Sequence, residues 1–72
     1  LFASRYRTIG LKIGYYRRAK NLTQVELADQ VGISSQYLSR IERGLGTGAS
    51  LDIYWKIAEV LGVTFEDFSK SE

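Results

Sequence analysis

Gln36, Ser39, Arg40 and Arg43 fall together on one side of any helix that runs from Ser35 to about Arg43 and turns Leu38 and Ile41 inward, with Ser35 and Tyr37 at the flanks. These side chains suit the edges of paired bases. Gln reaches adenine through two hydrogen bonds, Arg reaches guanine through two, and Ser donates to or accepts from either. A merely solvated face would more often carry Glu and Lys, whereas the only acid on this helix, Glu42, lies off to one side. The pattern predicts a helix that reads the major groove of double-stranded DNA.

Such a helix must be seated by others. Leu27, Ala28 and Val31 form one apolar stripe at helical spacing, Leu38 and Ile41 form another, and Gly32 stands between them. A glycine there adopts positive φ without a Cβ penalty, so the first helix stops abruptly and the chain turns back. Ala28 falls where two helices joined by a short turn would cross, and a bulkier side chain would push them apart. Thr23 and Ser34 are N-cap candidates. Glu26, three residues after Thr23, completes a capping box, and Leu22 with Leu27 forms a hydrophobic staple that Ile33 and Leu38 repeat around Ser34. A helical hairpin with no partner would carry the same caps, so the outward face carries the functional reading.

The stretch from Ile9 to Phe68 resembles the lambda-repressor-like (Cro/repressor, XRE-type) helix-turn-helix domain of phage and bacterial regulators. The matching residues are Leu22-Thr23-Gln24, Leu27-Ala28, Val31-Gly32-Ile33-Ser34, Leu38-Ser39-Arg40-Ile41-Glu42-Arg43-Gly44, Ser50-Leu51, Lys56-Ile57-Ala58 and Leu61-Gly62-Val63-Thr64. The resemblance implies an all-α, compact five-helix fold whose helices 2 and 3 form the helix-turn-helix, and a bacterial or phage origin. It also implies that Gln24 clamps a phosphate, that Ser35, Gln36, Ser39 and Arg40 lie in the major groove, and that Arg17 pairs with Glu42 as structural support. Tyr37 and Arg43 are assigned with Gln24 to phosphates or to the flanks. The chain departs from the family after Gly44, where a basic residue and a proline are usual and Leu45-Gly46-Thr47-Gly48-Ala49 stands instead. Arg43 or loop N–H groups are the candidates to replace the missing basic contact. A phosphate-cradling glycine loop is the weaker reading of this segment, because it needs a preceding strand and a terminal lysine with a hydroxyl residue; a mobile connector fits better.

The flanking helices read as scaffold. Helix one is expected from about Ser4 or Tyr6 to Lys20, with Ile9, Ile13 and Tyr16 inward and Asn21 in a left-handed cap. Helix four should start at Ser50 and end before Gly62, burying Leu51, Tyr54 or Trp55, Ile57, Ala58 and Leu61. Thr64 should cap a fifth helix from Phe65 to about Ser69, stapled by Val63 and Phe68. Glu66 and Asp67 suit the positive end of that helix dipole. Trp55, Phe65 and Phe68 are many large rings for one small core. A two-fold homodimer through helices 4 and 5 would set two recognition helices roughly 34 Å apart on a palindromic operator, and a monomer with the rings buried fits the sequence as well.

The 72 residues allow one domain, 1–72, with a modest core that buries roughly 60% of the unfolded surface. Without Cys or His there is no disulfide, no Cys or His zinc site, no thiol nucleophile and no imidazole base, so neither an enzyme nor a metal or other cofactor is expected. No apolar run approaches the roughly 20 residues of a membrane span and no signal-peptide pattern begins the chain, which implies a cytoplasmic protein. With no initial Met, Leu1 is not expected to be the translation start, and residues or whole domains are expected upstream. The net charge of +2 is small, but Arg5, Arg7, Lys12, Arg17, Arg18 and Lys20 lie among residues 1–25 with no acid. Among residues 51–72, Asp52, Glu59, Glu66, Asp67 and Glu72 outnumber Lys56 and Lys70. This polarity turns the first third of the chain toward a polyanion. Tyr15 and Tyr16 could stack on single-stranded bases, but Tyr16 continues the apolar stripe of helix one and reads more simply as core.

These features predict a sequence-specific, double-stranded DNA-binding transcriptional regulator, expected to be a repressor. The alternative of another class is an antitoxin-type interaction module that binds a partner protein and autoregulates its operon. RNA ranks third, since the deep, narrow groove of A-form RNA does not admit a helix.

Overall fold

The computed structural model describes residues 2–46 and 48–69. Five helices follow in order: α1 Phe2–Ala19, α2 Gln24–Val31, α3 Ser35–Glu42, α4 Leu51–Leu61 and α5 Phe65–Ser69. No strand occurs among the described residues, and no helix there is long and apolar enough to cross a membrane. Helix α1 begins at Phe2, ahead of the expected start. Thr47 of the glycine-rich loop and the charges of Lys70 and Glu72 lie outside the described residues.

The helix starts follow from local hydrogen bonding. Thr23 is extended, its Oγ1 accepts from Glu26 N at 3.0 Å, and Glu26 Oε1 accepts from Thr23 N at 2.8 Å. Ser34 Oγ accepts from Tyr37 N at 3.0 Å. Each such cap stabilises its helix by about 1 kcal/mol relative to alanine. At α5, Thr64 Oγ1 accepts from Asp67 N at 3.3 Å and Asp67 Oδ2 accepts from Thr64 N at 2.9 Å, so Asp67 closes a reciprocal cap beyond its effect on the helix dipole. Ser50 stands at the N-cap of α4 without a side-chain cap bond.

The helix ends are equally local. Gly32 takes φ 91°, and Gly32 N and Ile33 N both donate to Ala28 O, so the orphan carbonyl at the end of α2 is satisfied while the chain reverses into α3. Asn21 takes φ 59° after α1.

Helix α1 packs on α3 and α5, and α2 packs on α3 and α4. Ile13, Leu27, Ala28, Val31, Leu38, Ile41, Ile57, Ala58 and Leu61 are buried between them. Phe68, from the five-residue α5, is fully buried beside Tyr16 and Phe65, with ring centroids 6.1 and 6.4 Å away. Burying a ring of that size contributes about 2 to 3 kcal/mol, which holds so short a helix in place.

Helix α4 resolves one alternative and corrects another expectation. Tyr54 is buried and Trp55 is 53% exposed, its ring 5.6 Å from that of the half-buried Phe65. Leu51, expected inside, is 57% exposed. At about 100° per residue, Leu51 and Trp55 lie one turn apart, off the face of α4 that carries the buried Tyr54, Ile57, Ala58 and Leu61.

The loop before α4 is tied rather than free at the residues described. Gly46 is buried, and its carbonyl accepts from Ala49 N at 2.9 Å and from Tyr54 Oη at 3.1 Å. Burial, reinforced by nearby Tyr6 and Tyr37, pushes the Tyr54 hydroxyl up to about 12.

Candidate nucleic-acid interface

Leu38 and Ile41 anchor α3 in the core, and this orients the rest of the helix. Gln36 and Arg40 are exposed one turn apart, and the half-buried Ser35 and Ser39 lie on the turns beside them. Among the described residues neither the Gln36 amide nor the Arg40 guanidinium has a hydrogen-bond partner, so both are free to meet base edges. Arg43, the C-cap residue, is exposed, with Nε 3.4 Å from Ser39 O. Tyr37 is half-buried and packs against the core, so it stands partly behind the face that Gln36 and Arg40 present.

The end of α3 is held by a charged cluster. Arg17 Nε donates to Glu42 Oε2 at 2.7 Å and Nη2 to Oε1 at 3.1 Å, while Nη1 donates to Leu22 O at 2.9 Å. One guanidinium thus joins the last turn of α1, the entry to α2 and the last residue of α3. The two side chains are 12% and 8% exposed, an environment in which a carboxylate needs a bidentate partner. Gln24 also reaches this carboxylate, with Nε2 donating to Glu42 Oε1 at 3.0 Å.

Two contributors to this geometry escaped the sequence reading. A Cβ on Gly10 would stand 2.4 Å from Ile41 O and 2.7 Å from Glu42 O, so only glycine lets α1 approach the end of α3 this closely. One turn on, the space over Gly14 is taken by Arg18 Nη1 and Glu42 Oε1, which bring a second guanidinium near the same carboxylate. The available signal was two glycines four residues apart in a helix that also carries Arg17 and Arg18.

In the loop after α3, Gly44 N, Leu45 N and Ala49 N donate to Ile41 O, Arg40 O and Gly46 O. Those N–H groups are spent within the chain, which leaves the exposed Arg43 side chain as the better candidate for a flanking contact.

A seated helix with free polar groups, a tight αL turn and a capped supporting helix is the geometry of a helix-turn-helix, and residues 13–68 match the helix-turn-helix family model HTH_3. The chain belongs to the HTH_3 (XRE-type) helix-turn-helix family. Among its relatives, HTH-type transcriptional regulator SinR of Bacillus subtilis (strain 168) is 41% identical over 56 residues, covering 78% of this chain and 50% of SinR. The uncharacterized HTH-type transcriptional regulator MJ0272 of Methanocaldococcus jannaschii is 45% identical over 56 residues, 78% of this chain and 83% of that protein. A crystal structure of SinR, described as the master regulator for biofilm formation, in complex with DNA superposes with a TM-score of 0.78 at 37% identity, covering 86% of this chain and 98% of that one. The chain spans about half the length of the SinR proteins it matches.

Proposed function

We propose that this chain is the DNA-binding domain of a sequence-specific transcriptional regulator, a repressor acting in the cytoplasm without a catalytic step or a cofactor. The observation that carries this reading is the pair Gln36 and Arg40, without a hydrogen-bond partner among the described residues and held outward on a helix whose other side is locked in the core. Its support from outside the chain is a family relative with a structure on DNA. In this reading Ser35, Gln36, Ser39 and Arg40 contact base edges, and Gln24, Tyr37 and Arg43 contact phosphates or the flanks of the site. Arg17 and Glu42 fix the angle between the helices that carry those two sets. The relatives reported above carry the name HTH-type transcriptional regulator, which supports this reading rather than the antitoxin alternative.

A homodimer through α4 and α5 belongs to the same proposal, because Leu51 and Trp55 leave apolar surface exposed on α4. The operator would then be palindromic, with half-sites one helical turn apart.

Selection of bound sites from a random duplex library tests both parts. Enrichment of a defined motif is the expected result and a two-fold repeat within it supports the dimer; a library that stays random after repeated rounds refutes sequence reading. Sedimentation of the free protein and of a Trp55→Ser variant checks the interface directly.

A further inference from the structure

The geometry points to Glu42 as the positioning residue of the phosphate clamp: by accepting one N–H of the Gln24 amide, its carboxylate aims the other N–H outward at a DNA phosphate. This rests on the proposed DNA-binding function and goes further, because it makes the last residue of the recognition helix responsible for a backbone contact made from the start of α2.

The argument begins with the chemistry of a primary amide. Gln24 Nε2 carries two N–H donors in one plane, fixed about 120° apart by sp² geometry. One donates to Glu42 Oε1 at 3.0 Å. An acceptor-only carboxylate also settles which end of the amide faces it, since a Gln24 oxygen turned toward Glu42 would set two acceptors against each other. A phosphate, likewise acceptor-only, must be met by nitrogen rather than oxygen. The remaining N–H can do so without reorienting, because the half-buried side chain is already held at its other donor.

Arg17 makes this arrangement compatible with a polyanion. An uncompensated carboxylate beside a phosphate site would repel the phosphate, but both oxygens of Glu42 receive Arg17, and Arg18 Nη1 lies close by over Gly14. Glu42 therefore orients the donor while the neighbouring guanidiniums cancel its charge. Arg17 also holds Leu22 O, two residues before Gln24, so the backbone that carries the clamp is anchored by the same cluster. Because Glu42 ends the helix that carries Gln36 and Arg40, base reading and the phosphate grip share one rigid origin.

The test is a double-mutant cycle on DNA affinity, read by fluorescence anisotropy with a labelled mixed-sequence duplex of about two helical turns. Such a probe suffices because a phosphate contact carries no sequence information. In the wild-type background Gln24→Ala is expected to weaken binding by about tenfold, the size of a hydrogen bond to a charged group. In a Glu42→Ala background, where the amide is no longer aimed, the same substitution is expected to change affinity by less than about twofold. An equal loss in both backgrounds, or no loss in the wild type, overturns the inference. A purely structural role for Glu42 would lower the melting temperature yet leave the two Gln24→Ala factors equal. Should Glu42→Ala fail to fold, the Gln24 side-chain amide of the wild-type protein is followed by nitrogen-15 NMR as the same duplex is added. The amide proton not bonded to Glu42 is expected to shift, and an unperturbed Gln24 amide in a protein that binds duplex overturns the assignment. If the wild-type protein binds no duplex at all, the DNA-binding reading falls and takes this inference with it.

Discussion

Arg17 Nε lies 2.7 Å from Glu42 Oε2, with the two side chains only 12% and 8% exposed, and the residues stand 25 positions apart in the chain. Solvent-exposed pairs contribute about 0 to 1 kcal/mol, but this one is shielded. Removing a single partner strands a shielded charge that the remaining contact, Gln24 Nε2 on Glu42 or Leu22 O on Arg17, compensates only in part. Arg17→Ala or Glu42→Ala is therefore expected to cost about 2 to 4 kcal/mol of stability. Replacing both with apolar residues of similar volume, Arg17→Met with Glu42→Leu, should cost clearly less than the two single losses added together. Chemical denaturation of the four proteins checks this; single variants as stable as the wild type would mean that the pair is solvated in solution.

Gln36 and Arg40 should carry discrimination rather than bulk affinity. A lost bidentate base contact is worth about 1 to 3 kcal/mol of discrimination, so Gln36→Ala and Arg40→Ala are each expected to relax preference at one or two positions of the selected site. Gln24→Ala should instead weaken selected and scrambled duplexes by similar factors. Titrating the three variants against both duplexes at one salt concentration separates the roles. An undiminished operator-to-random ratio in both α3 variants would place base reading elsewhere.

Affinity for any duplex should fall steeply with salt. Each phosphate neutralised by the domain adds about −0.9 to the slope of log affinity against log salt. The relevant charges are Arg5, Arg7, Lys12, Arg18 and Lys20 of the first 25 residues, together with Arg40 and Arg43, whereas Arg17 is spent on Glu42. A flat salt dependence would exclude a phosphate backbone as the partner.

Gly10 and Gly48 provide a paired test of how close α1 must come to α3. At Gly10 a Cβ would collide with the backbone carbonyls of Ile41 and Glu42, which cannot move without moving α3, whereas at Gly48 it would meet nothing within 4 Å. Gly10→Ala is expected to destabilise by about 2 kcal/mol or more and to weaken DNA binding, because the recognition helix shifts. Gly48→Ala should be neutral or slightly stabilising, through the entropy of the unfolded chain. Melting temperatures of both variants decide the matter, and equal effects would contradict the close approach.

Tyr54 should make stability depend on pH in a defined alkaline window. Its hydroxyl titrates near 10 in the unfolded chain and near 12 in the fold. Because the folded value is the raised one, the stabilisation is complete below pH 10 and is lost as pH rises from 10 to 12. Tyr54→Phe removes both the titration and the hydrogen bond to Gly46 O. At pH 8 it should be less stable than the wild type by about 1 kcal/mol or less, since Gly46 O keeps the Ala49 N–H. Between pH 10 and 12 this difference should shrink and then reverse. A constant difference across that window would contradict the burial of the hydroxyl.

Much of this architecture was legible because it rests on interactions between residues close in the chain. Thr23 with Glu26, Ser34 with the amide of Tyr37, and the αL turns at Gly32 and Asn21 each span five residues or fewer, so residue types at fixed offsets are enough to predict them. The division of α3 into an inward Leu38 and Ile41 and an outward Gln36 and Arg40 follows from helical periodicity in the same way.

What only the tertiary structure decided depends on where one helix meets another. Leu51 has the residue type of a core position, yet it is exposed while Tyr54, Ile57, Ala58 and Leu61 are buried, because which side of α4 is covered depends on where the other helices lie. Tyr54 rather than Trp55 is buried, on the face of Ile57, Ala58 and Leu61, and its hydroxyl donates to Gly46 O eight residues back in the chain. Gln24 on Glu42 and Gly10 under Ile41 O are contacts across helices, set by the angle and distance between their axes. Hydrophobic pattern and caps specify each helix separately. The axes are set by how the completed side-chain surfaces pack, and that depends on every buried residue at once.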